Sequence, residues 1–481
     1  MARVIRRRYL GGAAATVGGV LAAACGTPEV RYVEKPVITE KVVTVEKPVV
    51  VEKIVEKIVE KPAMAAGPKT IIFDTDWCPS GPRAEVTNRG VDAFMAKHPN
   101  VKVDIRCEAG RETAGSGSVF ARSAVLIAAD DMGDMFLWAG YVFVYWAKRG
   151  LFQDITPFMA QYKVTLDDYI HVPQHEVWPY PNGKIWGWPF QSGASDYLYN
   201  KSVLDRHGIE PSDDWTWDDV VEVAKQVQDP ANNIWGMAPP SELTLMYQIG
   251  GQKGTDNGEY YLYDSPVGHQ AMQFRYDLFH KHQLAPTPQA ASEMGDRRPS
   301  SSKGNYVFWM GHPSAAFRKA MEENNFEAQL MRGPKWPANG LRAVSGFDQP
   351  HIITKWAGTH DVVAEAAALS AHMAGPETSD FILKYGNTGP TWKATYDSDA
   401  YLDSSRWNRN IIMEGFEHRF GDQAQEWWYP MYRARGPVLG QVWNGELSPL
   451  DGAREIGRLH KVIAELKTLH PPTNVLQADL G

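Results

Sequence analysis

The stretch that decides the fold is KTIIFDTDWCPSGPRAEVTNRGVDAFMAKHPNVKVDIRC, residues 69–107. Its first part, KTIIFDTDW, is a short apolar and β-branched run that predicts a buried strand. RAEVTNRGVDAFMAKHP follows with apolar residues at helical spacing, and NVKVDIRC predicts a second strand. Two strands joined by a helix of this length run parallel, so the stretch predicts an α/β fold.

Further segments continue this alternation of strands and helices. GDMFLWAG predicts a strand that ends in a loop. Longer helices are predicted in WTWDDVVEVAKQVQ, GHQAMQFRYDLFHKHQ, HDVVAEAAALSAHMA and DGAREIGRLHKVIAEL. Thr216, ahead of Asp218 and Asp219, is the expected N-cap of the first of these helices. A chain of 481 residues exceeds the size at which one core keeps growing, so we expect two lobes.

The composition limits the kinds of partner. The 57 acidic residues outnumber the 49 Lys and Arg residues, which gives a formal charge of -8. This balance argues against a nucleic-acid partner, because nucleic-acid affinity comes mainly from clustered Lys and Arg on phosphates. The chain also carries 17 Trp, 20 Tyr and 17 Phe. Such rings suit flat apolar faces with polar edges, and sugars have both.

Residues 1–25 are predicted to be an export signal with a lipoprotein-like cleavage site. A basic start is followed by small and apolar residues that end in three alanines before Cys25. Arg6 and Arg7 resemble the start of a twin-arginine (Tat) export signal. The small residues before Cys25 resemble a bacterial lipoprotein cleavage site, at which the cysteine is lipidated. A plain secretory signal peptide with an incidental Cys25 is the alternative.

Residues 26–68 are predicted to be a spacer. Glu-Lys pairs recur among Val and Ile residues, and Pro36, Pro48 and Pro62 interrupt any long helix. This pattern is typical of a stiff spacer between a lipid anchor and a folded body. A self-associating strand or coiled segment is the alternative.

Cys78 and Cys107 follow or end the two strands predicted within residues 69–107. If these strands are neighbours in the sheet, their carboxyl ends lie close enough for a disulfide. Two free, buried cysteines are the alternative.

The order of the segments resembles that of the extracellular solute-binding proteins of bacterial ABC importers, in particular the carbohydrate-binding group that includes maltose-binding protein. The segments that carry this resemblance are FMAKHPNVKVDI, GDMFLWAG, RGLFQDITPF, NGKIWGWPF, LYNKSVLDRHGI, TWDDVVEVA, KGNYVFWMGHPSAAF and VWNGELSPLDGAREI. The resemblance implies a periplasmic-binding-protein type II fold: two α/β lobes joined by hinge strands, with the ligand cleft between them. Lobe one would comprise residues 69–188 and 341–385, and lobe two residues 189–340 and 386–481.

The resemblance also implies a function. A lipid-anchored monomer at the periplasmic or extracellular face of the membrane would capture a sugar or oligosaccharide and deliver it to ABC permease subunits, without a cofactor or a metal. A secreted carbohydrate hydrolase and a binding protein for a polyamine or peptide remain alternatives. The sequence contains no GxSxG, HExxH or GxxxxGK[ST] motif. We therefore predict a binding protein and not an enzyme.

The segment NGKIWGWPF, residues 182–190, places three aromatic rings on one side of an extended strand. The resemblance makes this the strand that leaves lobe one and crosses the hinge. We therefore expect Trp186 and Trp188 to pack in lobe one, and Phe190 and Gln191 to face the cleft.

Candidate ligand-binding residues lie in loops that follow strands, because ligands of open α/β sheets bind beyond the carboxyl ends of the strands. Aromatic faces would stack on the C–H face of a sugar, and carboxylates and amides would bind its hydroxyl groups. The predicted residues are Asp76, Trp77, Trp138, Gln191, Glu242, Trp309, Asp348, Trp392 and Trp428. The alternative for each tryptophan is core packing, and for Glu242 it is a solvated surface charge.

Overall fold

The computed structural model of the chain describes residues 67–107, 123, 125–137, 146–147, 149–170, 184–250, 262–312, 314–386, 388–398, 411–412, 414–415, 418–421 and 428–469. These residues belong to the compact unit Val59–Gly481. The predicted export signal, residues 1–25, and the predicted spacer up to residue 66 lie outside the described residues.

The described part of the chain contains nine strands. They are β1 (Lys69–Thr75), β2 (Val101–Cys107), β3 (Met135–Leu137), β4 (Trp188–Asn200), β5 (Trp235–Met237), β6 (Tyr306–Gly311), β7 (Ala328–Met331), β8 (Val344–Ile353) and β9 (Arg419–Gly421). β1 pairs in parallel with β2 and with β3. The parallel strand–helix–strand unit predicted for residues 69–107 is therefore confirmed.

The α-helices surround these strands. Their bounds are Gly81–Lys97, Thr156–Tyr162, Lys201–Arg206, Trp217–Val227, Glu242–Ile249, Pro266–His280, Pro288–Glu293, Ala315–Glu323, Lys355–Thr359, Val363–Met373, Pro376–Tyr385, Lys393–Tyr396, Trp428–Trp443 and Pro449–Leu469. The four longer helices predicted from the sequence are all present. None of the helices that the structure describes is both long enough and apolar enough to cross a membrane.

The long strand β4 takes part in two sheets. Its first part, from Trp188 to Ser195, pairs antiparallel with β8. Its second part, from Asp196 to Asn200, pairs with β6 on one side and β7 on the other. The register shifts between Pro189 and Gln191, so a bulge lies at this point of the strand. The resulting strand order is β2-β1-β3-β8-β4-β6-β5.

Two large hydrophobic cores flank the two parts of β4. The first core packs β1, β2 and β3 against the helices Gly81–Lys97 and Val363–Met373, and Trp188 lies in it. The second core lies around the far end of β4, β6 and the helices Trp217–Val227 and Pro266–His280. Trp188 packs in the first core as predicted, and Trp186 is also buried. The residue bounds of the two lobes stay a prediction.

The helix Trp217–Val227 begins at the predicted N-cap, Thr216. The Thr216 hydroxyl accepts a hydrogen bond from the backbone N–H of Asp219 at 3.4 Å. The Asp219 carboxylate accepts one from the backbone N–H of Thr216 at 2.8 Å. This reciprocal pair is a capping box, and it satisfies two backbone donors that the helix itself leaves unpaired.

Replacing Thr216 by Ala should lower the free energy of unfolding by about 1 kcal/mol, because the cap loses its side-chain acceptor. Thr216→Ser keeps the hydroxyl and should stay close to the wild-type value. Urea unfolding followed by far-UV circular dichroism measures both variants. Equal stability of the alanine and serine variants would contradict a role for this cap.

Candidate functional site

β8 and β4 continue past the edge at which β1 and β3 end. Leu137, the last residue of β3, lies opposite His351 of β8, which in turn lies opposite Trp188 of β4. The next opposed positions on β8 and β4 are two prolines, and after them Gln349 and Gln191. Gln191 and Gln349 therefore lie beyond the carboxyl ends of β1 and β3, where open α/β sheets bind their ligands.

Gln191, Gln349 and His351 share one face of these two strands. Gln349 and His351 are two residues apart on β8, so their side chains point the same way. Gln191 is directly opposite Gln349, and opposed residues of an antiparallel pair lie on the same face. All three side chains are buried, with exposures of 1%, 6% and 0%.

Aromatic rings pack beside this face. The Phe190 ring stacks on the His351 ring with centroids 4.1 Å apart. The Trp77 ring meets Phe190 edge-on at 4.9 Å, and Phe73 meets His351 edge-on at 5.4 Å. Phe190 is a member of the first core, so the prediction that it faces the cleft is wrong. The bulge after Pro189 breaks the simple alternation on which that prediction rested.

Asp76 and Trp77 directly follow β1. The Arg83 guanidinium lies 5.2 Å from the centroid of the Trp77 ring, and one of its nitrogens lies 3.9 Å from the Asp76 carboxylate. Trp77 is fully buried and belongs to the first core. Two of the predicted site residues, Trp77 and Gln191, thus lie near Phe190: Trp77 contacts its ring, and Gln191 follows it in the chain. Asp76 directly precedes Trp77.

Buried polar atoms without a hydrogen-bond partner are concentrated at this place. Within the described part of the chain, no partner is found for Nε1 of Trp77, for Nε2 and Oε1 of Gln191, for Oε1 of Gln349, or for Nδ1 and Nε2 of His351. Leaving such a group unpaired costs about 1–3 kcal/mol. Native proteins keep few such groups, so a cluster of them indicates a place that a polar ligand or water fills.

His351 carries no charge near neutral pH. Burial lowers the pKa of its imidazole well below the ordinary value. A neutral imidazole offers one donor and one acceptor. The cluster therefore offers donors from indole, amide and imidazole together with acceptors from amide and imidazole, and it can bind groups that both donate and accept.

Cys78 and Cys107 are joined by a disulfide, with their Cα atoms 5.5 Å apart. Cys107 ends β2 directly opposite Thr75, the last residue of β1. The disulfide therefore lies next to Trp77, at the same edge of the sheet as the polar cluster.

Trp392 lies in a loop that runs beside the bulge of β4. The Thr391 hydroxyl donates to the backbone carbonyl of Phe190 at 2.7 Å. The half-buried Trp392 ring meets Tyr169 edge-on at 5.2 Å, and Tyr169 accepts a hydrogen bond from the indole of Trp188 at 2.8 Å. Trp392 thus packs against the first core, and its contact with a ligand stays a prediction.

Glu242 lies apart from this cluster, at the start of the helix Glu242–Ile249. The alternative for this residue, a solvated surface charge, is excluded, because Glu242 is 2% exposed. Its carboxylate is paired with Arg275 and Arg435 and accepts a hydrogen bond from Tyr263 at 2.9 Å. Burial raises the pKa of the Glu242 carboxyl, but the two guanidinium groups outweigh burial and hold this pKa below its ordinary value. These contacts occupy the carboxylate, and they do not support a ligand-binding role.

Trp309 lies in β6 and is 3% exposed. It stands opposite Leu198 of β4 and packs with Leu330 and Tyr396 in a small hydrophobic cluster. The structure does not bring Trp309 to the polar cluster, and its ligand-binding role stays a prediction.

Three predicted positions cannot be placed as side chains. Trp138, one residue after β3, lies outside the described residues. The backbone of Asp348 lies in β8 opposite Ser192, and Trp428 begins the helix Trp428–Trp443, but the side chains of Asp348 and Trp428 lie outside the described part. Their roles stay predictions.

Gln349 and His351 were not predicted from the sequence. A signal for both was present in FDQPHIITK, residues 347–355, where two polar residues alternate within an otherwise strand-like run. Such alternation marks a polar face on a strand. Asp348, which was predicted instead, is one residue out of step with Gln349 and His351 in this alternation.

A separate groove in the described part of the chain differs from the polar cluster. A groove of about 690 Å³ lies beside β7 and is lined by charged residues that include Arg206, Arg318 and Glu322. None of its lining residues contributes a buried polar atom without a partner. Within the described residues, no group of three or more His, Cys, Asp or Glu side chains is assembled for a metal ion.

Residues 80–380 match the family model of the bacterial extracellular solute-binding proteins. An arabinooligosaccharide-binding protein of Halalkalibacterium halodurans is 28% identical over 235 residues, which are 47% of this chain and 51% of that protein. The match thus spans about half the length of this relative.

Two solved structures are similar over most of the chain. An ABC substrate-binding protein of Listeria monocytogenes in complex with cycloalternan has a TM-score of 0.70 and 18% identity, and covers 82% of this chain and 99% of its own. The maltose-bound MalE3 of T. maritima has a TM-score of 0.68 and 18% identity, with the same two coverages. At these identities the likeness shows the fold. The predicted periplasmic-binding-protein type II fold is confirmed.

Replacing His351 by Phe should flatten the pH dependence of stability on the acid side. The folded protein keeps His351 neutral, whereas the unfolded chain takes up a proton below about pH 6.5. Below this pH the unfolded state therefore binds more protons than the folded state. As the pH falls, His351 lowers the free energy of unfolding by up to about 1.4 kcal/mol per pH unit. Urea unfolding between pH 7.5 and 5 measures the slope. The exposed His418→Phe is the control, and a wild-type slope in His351→Phe would contradict the prediction.

Replacing Glu242 by Leu should destabilise the protein by about 3–5 kcal/mol, because the buried guanidinium group of Arg435 and the half-buried one of Arg275 lose their counter-ion. Glu222, whose side chain is 73% exposed and pairs with Lys225, provides the control. Glu222→Leu should change stability by less than about 1 kcal/mol. Both values come from urea unfolding, and similar losses in the two variants would refute the structural role of Glu242.

Proposed function

This chain belongs to the bacterial extracellular solute-binding proteins, and on that premise we propose that it captures a neutral sugar or oligosaccharide and delivers it to the permease subunits of an ABC importer. The ligand would bind where β4 and β8 continue past the ends of β1 and β3, beside Trp77, Gln191, Gln349 and His351.

The observation that carries this proposal is the cluster of buried polar atoms without partners on these four side chains. The cluster needs partners that can both donate and accept hydrogen bonds. Hydroxyl groups do both, and a sugar presents several of them at fixed positions. The Trp77 indole adds an N–H donor and an aromatic ring to the cluster, a combination that suits the hydroxyl groups and the C–H surface of a sugar.

A polyamine fits this cluster less well. Ammonium groups only donate, so the N–H of Trp77 and the amide nitrogen of Gln191 would stay unpaired and buried. A cation would also favour nearby carboxylates, and the Asp76 carboxylate already has the Arg83 guanidinium beside it. The donor and acceptor balance therefore favours a neutral ligand.

The names of similar proteins point the same way. The relative from Halalkalibacterium halodurans is an arabinooligosaccharide-binding protein, and the structural neighbours hold cycloalternan and maltose. These names support a saccharide as the ligand.

The mechanism would use the position of the site on β4, the strand that both sheets share. A ligand that contacts residues 69–188 and 341–385 on one side and residues 189–340 and 386–481 on the other binds the closed arrangement more tightly than the open one. Only such differential binding shifts the population toward closure. The permease would recognise the closed form. No covalent step is needed, so the protein would not be an enzyme.

Family membership makes this an exported protein. We propose further that residues 1–25 form the export signal, that the route is the Tat pathway, and that Cys25 carries the lipid. Residues 26–68 would then act as the spacer between the membrane and a monomeric body. Mass spectrometry of the mature N-terminus tests the lipid directly, and an unmodified N-terminus beyond Cys25 would refute it.

Replacing Gln191 by Leu should weaken sugar binding about tenfold or more while raising the stability of the free protein. Binding loses about 1–2 kcal/mol of hydrogen bonding, whereas the free protein no longer buries an unpaired amide. Thermal-shift screening of arabino- and malto-oligosaccharides, polyamines and peptides selects the ligand. Isothermal titration then measures affinity, and urea unfolding measures stability.

Gln329→Leu is the matched control, because Gln329 is an exposed strand residue that lines the groove beside β7. It should leave affinity unchanged. Weaker binding in Gln329→Leu with unchanged binding in Gln191→Leu would move the site to that groove. A polyamine as the best ligand would refute the sugar, and release of cleaved products would favour the hydrolase.

A further inference from the structure

We propose that the Cys78–Cys107 disulfide positions Trp77 in the ligand site and thereby makes ligand capture depend on an oxidised protein. The inference rests on the proposed function, because it concerns the same site. It goes beyond that function in assigning a redox dependence to binding.

The location of the disulfide is the first step. Cys78 directly follows Trp77 in the short loop between β1 and the helix Gly81–Lys97. Cys107 is the last residue of β2. The cross-link therefore ties the loop that carries Trp77 to a fixed point at the edge of the sheet.

The sheet has little need of this cross-link. β1 and β2 are already paired at seven successive positions, up to Thr75 opposite Cys107, and β1 is also paired with β3 on its other side. The disulfide instead constrains the chain beyond the last of these pairs. There the backbone N–H of Trp77 donates a hydrogen bond to the Thr75 hydroxyl at 3.0 Å.

The Trp77 side chain depends on that loop for its orientation. Its ring is held by packing on Phe190 and by the Arg83 guanidinium, and no hydrogen-bond partner for its Nε1 is found in the described residues. A covalent constraint one residue away restricts the backbone from which the ring projects. Without it, the loop backbone could shift and move the indole N–H away from the position that a ligand needs, and the ligand would have to restore that position on binding.

The redox step is accessible and balanced. Both cysteines are partly exposed, so a small dithiol can reach the bond. A dithiol attacks through its thiolate, the bond between the two sulfurs breaks, and exchange ends with thiols on Cys78 and Cys107 and an oxidised, disulfide-bonded dithiol. Two electrons and two protons pass to the protein. Oxidising compartments outside the cytoplasm keep such a bond formed.

The test uses the full chain carrying Cys25→Ser, so that Cys78 and Cys107 are the only cysteines. Isothermal titration with the best oligosaccharide from the screen compares the oxidised protein with protein reduced by dithiothreitol. Both forms are measured at a temperature at which circular dichroism shows them folded. We expect at least about tenfold weaker binding after reduction. The double variant Cys78→Ser, Cys107→Ser should bind with the affinity of the reduced protein, and dithiothreitol should not change that affinity. Equal affinity in the oxidised and reduced forms would overturn the proposal.

A second comparison tests whether reduction weakens binding by changing the position of Trp77. Reduction should have little further effect in Trp77→Phe, because residues that act together give non-additive changes. Trp356→Phe is the matched control, since Trp356 is also buried but its indole bonds to Asp130. Reduction should still weaken binding in this control. An equal effect of reduction in both variants would overturn the role of Trp77.

Failure of the proposed function is distinguishable from failure of this inference. If no saccharide binds either redox form, the proposed function fails. Hydrogen exchange of the free protein then tests whether the disulfide restricts the backbone around Trp77. Reduction should then speed exchange in residues 76–80 while most of the first core stays protected. Unchanged exchange in residues 76–80 would overturn the inference.

Discussion

The structure depends on one strand that serves two sheets. β4 bonds to β8 along its first part and to β6 and β7 along its second, so its backbone groups link two hydrophobic cores. At 13 residues it is longer than a strand in a single sheet usually needs to be. Its partner β8 also continues past the end of β3. The pairing of β4 with β8 places Gln191 and Gln349 beyond the ends of β1 and β3, and the polar cluster lies there, against aromatic rings of the first core.

That position explains how the protein can keep buried polar groups unpaired. Gln191, Gln349 and His351 lower the stability of the free protein, since each loses its hydrogen bonds to water without regaining them from the chain. A ligand with hydroxyl groups recovers this free energy on binding. The same side chains therefore destabilise the empty site and favour the occupied one, which is the usual relation between stability and function at a binding site.

Glu242 shows the other use of a buried polar group. Its carboxylate lies between Arg275 and Arg435, with Tyr263 as a further donor, so its hydrogen-bonding capacity is met within the second core. Removing one member leaves charge unpaired, whereas no ligand is needed to complete the network. The contrast with Gln191 separates a structural polar group from a binding one on physical grounds, because both oxygens of the Glu242 carboxylate have partners, whereas neither polar atom of the Gln191 side chain has one in the described residues.

The sequence by itself determined the local structure and the fold class. Apolar runs and helical spacing predicted β1, β2 and the long helices, because these patterns reflect burial on one face of each element. The ordered segments also identified the family. Only the tertiary structure decided which polar residues meet: strand register placed His351 and Gln349 beside Gln191, and buried Glu242 between two arginines. Gln191 pairs with Gln349, and Glu242 pairs with Arg275 and Arg435; these partners lie on different elements of the chain, and no local pattern encodes which of them meet.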